Sequence, residues 1–192
     1  MNDQTQPKPP SALTAFRGEL IAMEPQFRAA LPAHIPVERF VRVSNTAVAN
    51  NPDLLQCTPR SLWNSFMRAA QDGLLPDGRE GAIVMFKSKD GKIAQWMPMI
   101  FGLLKKVRNS GQVKMVTARV VYEGDQYRYW LDEDGEHIFY EPGKDQNRNV
   151  VVKVFAAART KDGELLVEPL SPADVEKIRK VIRAKASGPW VK

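Results

Sequence analysis

Residues able to do chemistry are few in this chain, and they stand far apart. His34 and His137 are the only histidines and Cys57 is the only cysteine. Two imidazoles and one thiol so separated do not make a typical zinc ligand set, which needs four close nitrogen or sulfur donors. Cys57 has no histidine near it in sequence to activate it, so it reads as a small buried hydrophobe rather than a nucleophile. Asp132, Glu133, Asp134 and Glu136 form one acidic group. A Mg²⁺-dependent nuclease would use such a group, but carboxylates beside Gly135 read better as a solvated turn. No G-x-x-x-x-G-K-[ST] segment occurs, so ATP binding by a phosphate loop is not expected. Taken together, the residues predict no catalytic set, no metal site and no cofactor.

Positive charge is more organised. Lys87, Lys89 and Lys92 surround the Asp90-Gly91 pair. Lys105, Lys106 and Arg108 close an apolar stretch just before Asn109-Ser110-Gly111, and Lys114 and Arg119 follow it. Cations at a helix end are favoured by the macrodipole alone, so phosphate contact and helix capping are both open for the first three. Over 149–160 the even positions Val150, Val152, Val154, Ala156 and Ala158 form an apolar face. The odd positions Lys153, Phe155 and Arg159 mix bases with an aromatic, a combination that can hold a single strand without sequence preference and that an amphipathic edge strand shows equally well. Lys177, Arg179, Lys180, Arg183 and Lys185 decorate the last helical stretch, where a solvated surface is the plain alternative.

The elements that must position these residues follow from periodicity. Residues 1–10 are polar and proline-rich and read as a disordered tail. A helix starts near Ser11 with Leu13, Phe16, Leu20 and Met23 at helical spacing, and Pro25 breaks it before a short turn over Phe27 to Leu31. Pro36 opens a second helix with Phe40, Val41, Ser44, Ala47 and Val48 on one face. Thr58-Pro59 opens a third, which Gly73 closes. The period then changes. Residues 81–86 and 91–97 flank a hairpin turn, 98–109 returns to a helix, and strands are predicted near 113–123, 126–131, 136–141, 149–160 and 164–168. Ser171-Pro172 with Asp174 starts a final helix carrying Val175, Ile178 and Ile182. The predicted class is α+β: a helical N-terminal part, then a β-hairpin and an antiparallel sheet packed with helices. Residues 11–192 are expected to form one domain, with a helical lobe over about 11–75 and a mixed core over about 76–192.

The bulk properties agree with that picture. The 192 residues are 43% apolar and 26% charged, with a net charge of +6. An excess of this kind favours polyanions. A lone cysteine allows no intrachain disulfide, no apolar run approaches the roughly 20 residues of a membrane span, and Met1-Asn2-Asp3-Gln4 does not read as a signal peptide. A cytoplasmic protein is expected.

Several pieces in order resemble the RecT family of phage and prophage single-strand annealing recombinases. They are Leu31-Pro32, Glu38-Arg39-Phe40, Asn51-Pro52, Cys57, Pro59, Ala69-Ala70, Gly73-Leu74, Pro76-Asp77-Gly78-Arg79-Glu80, Gln95, Pro98, Arg108-Asn109-Ser110-Gly111, Val121-Tyr122-Glu123 and Asp125. The chain departs from the family pattern at Met99-Ile100-Phe101-Gly102, where a Gly-Tyr pair is expected, and its last residues look like those of a C-terminally shortened member. The resemblance implies binding of single-stranded DNA and pairing of complementary strands without ATP, in rings or filaments, in the cytoplasm of a bacterial host. It implies no enzymatic step, and a partner exonuclease and host single-strand-binding protein. It adds Arg79 and Gln95, which stand in its motif pieces, to the DNA-binding residues expected from charge. A passive single-strand binder is the alternative reading.

Overall fold

The computed structural model describes residues 11–89, 91–144 and 148–181. The chain forms two compact units, one up to Lys106 and one from Val107 onward. The N-terminal tail, Asp90, Ile182, Arg183, Lys185 and the C-terminal residues lie outside the described residues.

In the first unit, α1 (Ala12–Ala22) begins where Ser11 Oγ accepts the Thr14 N–H at 3.2 Å. Pro25 sits in the first turn of α2 (Glu24–Ala30), where its missing N–H costs nothing. α3 (Val37–Asn50) turns Val37, Phe40, Ser44 and Val48 inward. A 3-10 turn (Pro52–Gln56) leads to α4 (Pro59–Asp72). Gly73 ends α4 in the left-handed conformation (φ 64°), and a Cβ there would meet Pro32 Cγ at 2.7 Å, so both backbone and space call for glycine. Phe27, Phe40, Phe66, Leu20, Leu54 and Leu74 are fully buried. Phe16 stacks on Trp63 with ring centroids 5.2 Å apart.

The hairpin of β1 (Gly81–Ser88) and β2 (Gly91–Pro98) belongs to this same core. Its register pairs Ile83 with Trp96 and Met85 with Ala94, and these face the helices. Alternation puts Ala82, Val84, Phe86, Ile93, Gln95 and Met97 on the opposite face. α5 (Ile100–Asn109) follows, and the division between the units falls within it.

The second unit contains the sheet β3–β6–β7, built from β3 (Val113–Tyr122), β6 (Val151–Thr160) and β7 (Leu165–Leu170), all antiparallel. A second hairpin, β4 (Gln126–Asp132) and β5 (Gly135–Glu141), lays Tyr127, Tyr129, Ile138 and Tyr140 against Val121, Phe155, Ala157 and Val167. α6 (Pro172–Val181) opens with the expected reciprocal cap: Asp174 N donates to Ser171 Oγ at 3.2 Å and Ser171 N to Asp174 Oδ2 at 3.1 Å. The architecture is α+β, with helices first and antiparallel strands after, as the periodicity predicts.

One expected face is reversed. On β6 the odd positions, not the even ones, meet the core: Phe155 is 5% exposed and Ala157 is buried, whereas Val150 and Val152 are exposed. Both faces of the strand carry apolar residues, so alternation alone cannot choose between them. The larger ring buries more area and finds Tyr127 at 5.7 Å and Tyr140 at 5.5 Å, and that decides the orientation.

Candidate nucleic-acid interface

The loop from Leu74 to Glu80 receives the start of α5. Asp77 Oδ1 accepts the Arg79 and Glu80 N–H groups at 2.9 and 2.8 Å, which closes a tight turn. Glu80 then faces back: its Oε2 accepts Leu75 N at 3.0 Å, and its main-chain carbonyl accepts Met99 N at 2.9 Å. α5 comes so close that a Cβ on Gly102 would lie 2.0 Å from the Glu80 carbonyl oxygen. Only glycine fits there. The departure Met99-Ile100-Phe101-Gly102 therefore still supplies a glycine where the helix crosses the loop.

Two of the basic residues expected to grip phosphate hold this crossing together. Lys105 Nζ donates to both Glu80 carboxylate oxygens at 2.8 Å, with the side chains 31% and 18% exposed. Lys106 Nζ donates to Asp72 Oδ1 at 2.7 Å, and Trp96 Nε1 donates to Asp72 Oδ2 at 2.8 Å. Burial pushes the Asp72 carboxyl up, but the hydrogen bonds from Lys106 and Trp96 outweigh it and hold the group below the usual carboxylate range. Both lysines are thus pins between α5 and the body of the first unit, a role neither phosphate contact nor helix capping describes. Nothing in the sequence named Glu80 or Asp72 as partners 25 and 34 residues away.

The other expected contacts fall into two groups. In the first unit, Lys87, Lys89 and Gln95 are exposed on or beside the β1–β2 hairpin, and Arg79 is exposed with its guanidinium 5.9 Å from the Phe101 ring centre. Lys92 donates to Gln56 Oε1 and so is tied to the 3-10 turn. In the second unit, Arg108 and Lys114 are exposed, Arg119 donates to the Ala118 carbonyl at 3.0 Å, and Arg159 donates to the Gly163 carbonyl at 3.0 Å. Lys153 lies 5.8 Å from the Tyr127 ring centre. Lys177 pairs with Asp174 at 3.0 Å and Lys180 is exposed, while Arg183 lies outside the described residues. Phe155 is a correction: a ring 5% exposed in the core cannot stack on a base.

Asp132, Glu136, His137 and Cys57, four of the residues considered for catalysis, are spent on structure. Asp132 Oδ1 accepts from His137 Nε2 at 2.7 Å and Oδ2 accepts from Trp130 Nε1 at 3.0 Å; the His137 bond is the main reason the Asp132 carboxyl sits below its ordinary range. Glu136 accepts from Tyr129 Oη at 2.9 Å and from Val167 N. Burial pushes the Cys57 thiol up, with Lys92 opposing it, so the reactive thiolate is disfavoured. Among the described residues no group of three His, Cys, Asp or Glu side chains converges to hold a metal ion.

The RecT family model matches residues 38–192. The chain belongs to the RecT family. It is 31% identical over 176 residues to Protein RecT of Escherichia coli, an alignment covering 88% of this chain and 65% of the relative. The chain thus spans less than two thirds of that relative's length. Both hairpins, the α5 crossing and every basic cluster described above lie within the family match, and α1 and α2 precede it. The family piece Pro76-Asp77-Gly78-Arg79-Glu80 has a physical meaning in this fold: it is the turn on which α5 is pinned. No helix among the described residues is long and apolar enough to cross a membrane.

Proposed function

We propose that this RecT-family chain binds single-stranded DNA and pairs it with a complementary strand, without a nucleotide cofactor and without breaking a covalent bond. Family membership over residues 38–192 is the observation that carries this reading. The net charge of +6 and the missing phosphate loop support it, since strand pairing needs polyanion binding but no hydrolysis. Phosphate contacts are assigned first to Lys87, Lys89 and Arg108, which are exposed and have no ion pair among the described residues. Lys114, Arg119, Lys153, Arg159, Lys177 and Lys180 are a second tier. Holding two strands in register calls for side-by-side copies, so assembly into a ring or filament belongs to the proposal. So do a cytoplasmic location, a partner exonuclease and a host single-strand-binding protein.

The test adds two complementary oligonucleotides in turn to the protein without ATP, following duplex formation by fluorescence and particle mass by light scattering. Pairing faster than in buffer, with large particles on DNA, is the expected result. Pairing that requires ATP, or binding of one strand that slows pairing, would overturn it, the latter in favour of a passive binder.

A further inference from the structure

At the start of α5 in the first unit an aromatic ring sits in solvent beside a cation. Phe101 is 62% exposed, and the Arg79 guanidinium lies 5.9 Å from its ring centre. Met97, Met99 and Ile100 in the same short stretch are also exposed. With Phe101 and Leu103 these make five large apolar side chains open to water within residues 97–103, the kind of patch that marks an interaction surface.

The position of Phe101 is set by rigid surroundings. Its neighbour Gly102 is pressed on the Glu80 carbonyl, and Lys105, one turn on, is fixed to the Glu80 carboxylate. Arg79 lies in the turn that Asp77 closes. Ring and guanidinium are thus held on the two elements that the Lys105–Glu80 pair joins, so little ordering is left to be done when a flat partner arrives.

The charge nearby selects the partner. The outward face of the β1–β2 hairpin carries Ala82, Val84, Phe86, Ile93, Gln95 and Met97, with no carboxylate among them. Lys87 and Lys89 stand exposed at the tip of the hairpin, in a turn whose sequence holds one carboxylate, Asp90. Phe86, on that outward face near the tip, is a second exposed ring. Apolar and aromatic surface flanked by cations at both ends matches a polymer of flat bases on an anionic backbone. It does not match the same basic face of a second copy, which would bring like charge against it.

We infer that Phe101, with Arg79 beside it, is a stacking site for an unpaired base of single-stranded nucleic acid, and that the outward face of the β1–β2 hairpin carries the neighbouring bases. The inference rests on the single-strand reading above and assigns the bases, not the phosphates, to this face. Aromatic–base stacking contributes enough per base that truncating the ring should weaken binding by about five-fold to a hundred-fold. A ring carries no charge, so the dependence on salt should stay as it is.

The experiment measures fluorescence anisotropy of a labelled oligonucleotide, and of the same strand with its bases removed, on the full chain and on Phe101→Ala and Phe101→Trp. Thermal melts and sedimentation accompany each variant. The expected result is weaker binding of the intact strand by Phe101→Ala at an unchanged salt slope and melting temperature, recovery in Phe101→Trp, and no difference on the abasic strand. Phe101→Ala binding the intact strand as tightly as the unaltered chain overturns the inference and leaves the single-strand reading standing. The same holds if affinity is kept but particle mass falls, which would make this face a contact between copies. An unaltered chain that binds no single strand overturns both.

Discussion

The β1–β2 and β4–β5 hairpins are built alike, each antiparallel, in close register and packed by one face on its own unit's core. Their outward faces are opposite in kind. On β4–β5 the Arg128 guanidinium lies 4.3 Å from the Trp130 ring centre, Trp130 stacks on His137 at 4.8 Å, and Asp132 accepts a hydrogen bond from each ring. Trp130, His137 and Asp132 thus satisfy one another, although Phe139 opposite Arg128 stays exposed, and Asp132, Glu133 and Asp134 at the turn repel an anion. On β1–β2 the exposed Phe86 and Met97 have no such partners among the described residues, and Lys87 and Lys89 stand exposed where the sequence of the turn holds one carboxylate, Asp90, against three at the other turn. Exposed aromatics offer a ligand something only where their own neighbours have not already used them.

The contrast between the units is sharpest in two phenylalanines. Phe155→Ala should destabilise the second unit by about 3–5 kcal/mol, because it removes a ring packed on Tyr127 and Tyr140 and leaves a cavity. Phe101→Ala should stay within about 0.5 kcal/mol of the unaltered chain, as an exposed substitution does. Denaturant melts followed by tyrosine and tryptophan fluorescence measure both. Equal losses would break the distinction between a ring that builds the fold and a ring free to bind.

The next effect in size separates cations that brace from cations that bind. Lys105→Ala leaves the mostly buried Glu80 with only its bond to Leu75 N, and should cost about 1–2 kcal/mol, between the limits for surface and buried pairs. Lys106→Ala breaks a pair half exposed on the lysine side and should cost less than about 1 kcal/mol, since Trp96 still holds Asp72. Neither should change the salt slope of single-strand binding. Arg108→Ala should leave stability alone and lower that slope by about 0.7. A drop of that size in Lys105→Ala would return the lysine to the phosphate-binding set.

The sequence was most legible where a local rule acts alone. Apolar spacing after Ser11, the cap at Ser171, the stop at Gly73 and the prolines at helix starts placed the helices within a residue or two, and Gly-containing turns placed the strands. It was least legible where two distant segments decide together. The choice of face on β6 depended on tyrosines from β4 and β5, which alternation within 149–160 does not contain. The pinning of Lys105 and Lys106 depended on carboxylates 25 and 34 residues upstream, which local charge counting cannot see. Phe101 carried no signal, because an apolar residue at a helix start reads as core until the helix is known to leave it in water.

The smallest expected effect concerns α6, where no residue is buried and the cap stands nearly alone. Asp174 is held down to about 2, first by the Ser171 hydroxyl at 2.6 Å, then by Lys177 and by the Ser171 main chain. A carboxyl depressed in the folded state adds stability that is fully present above its unfolded value near 3.8 and is lost as pH falls through about 2. The start of α6 should therefore be intact at pH 5 and loosen between about pH 4 and pH 2. NMR titration of the Asp174 carboxyl and the Ser171 and Asp174 amides measures it directly. Asp174→Asn should remove the transition, and Ser171→Ala should move the carboxyl back toward its ordinary value while costing about 0.5–2 kcal/mol of local helix stability. An Asp174 carboxyl that titrates near 3.8 in the intact chain would show that the reciprocal cap does not persist in solution, and the helix would then owe its start to Pro172 alone.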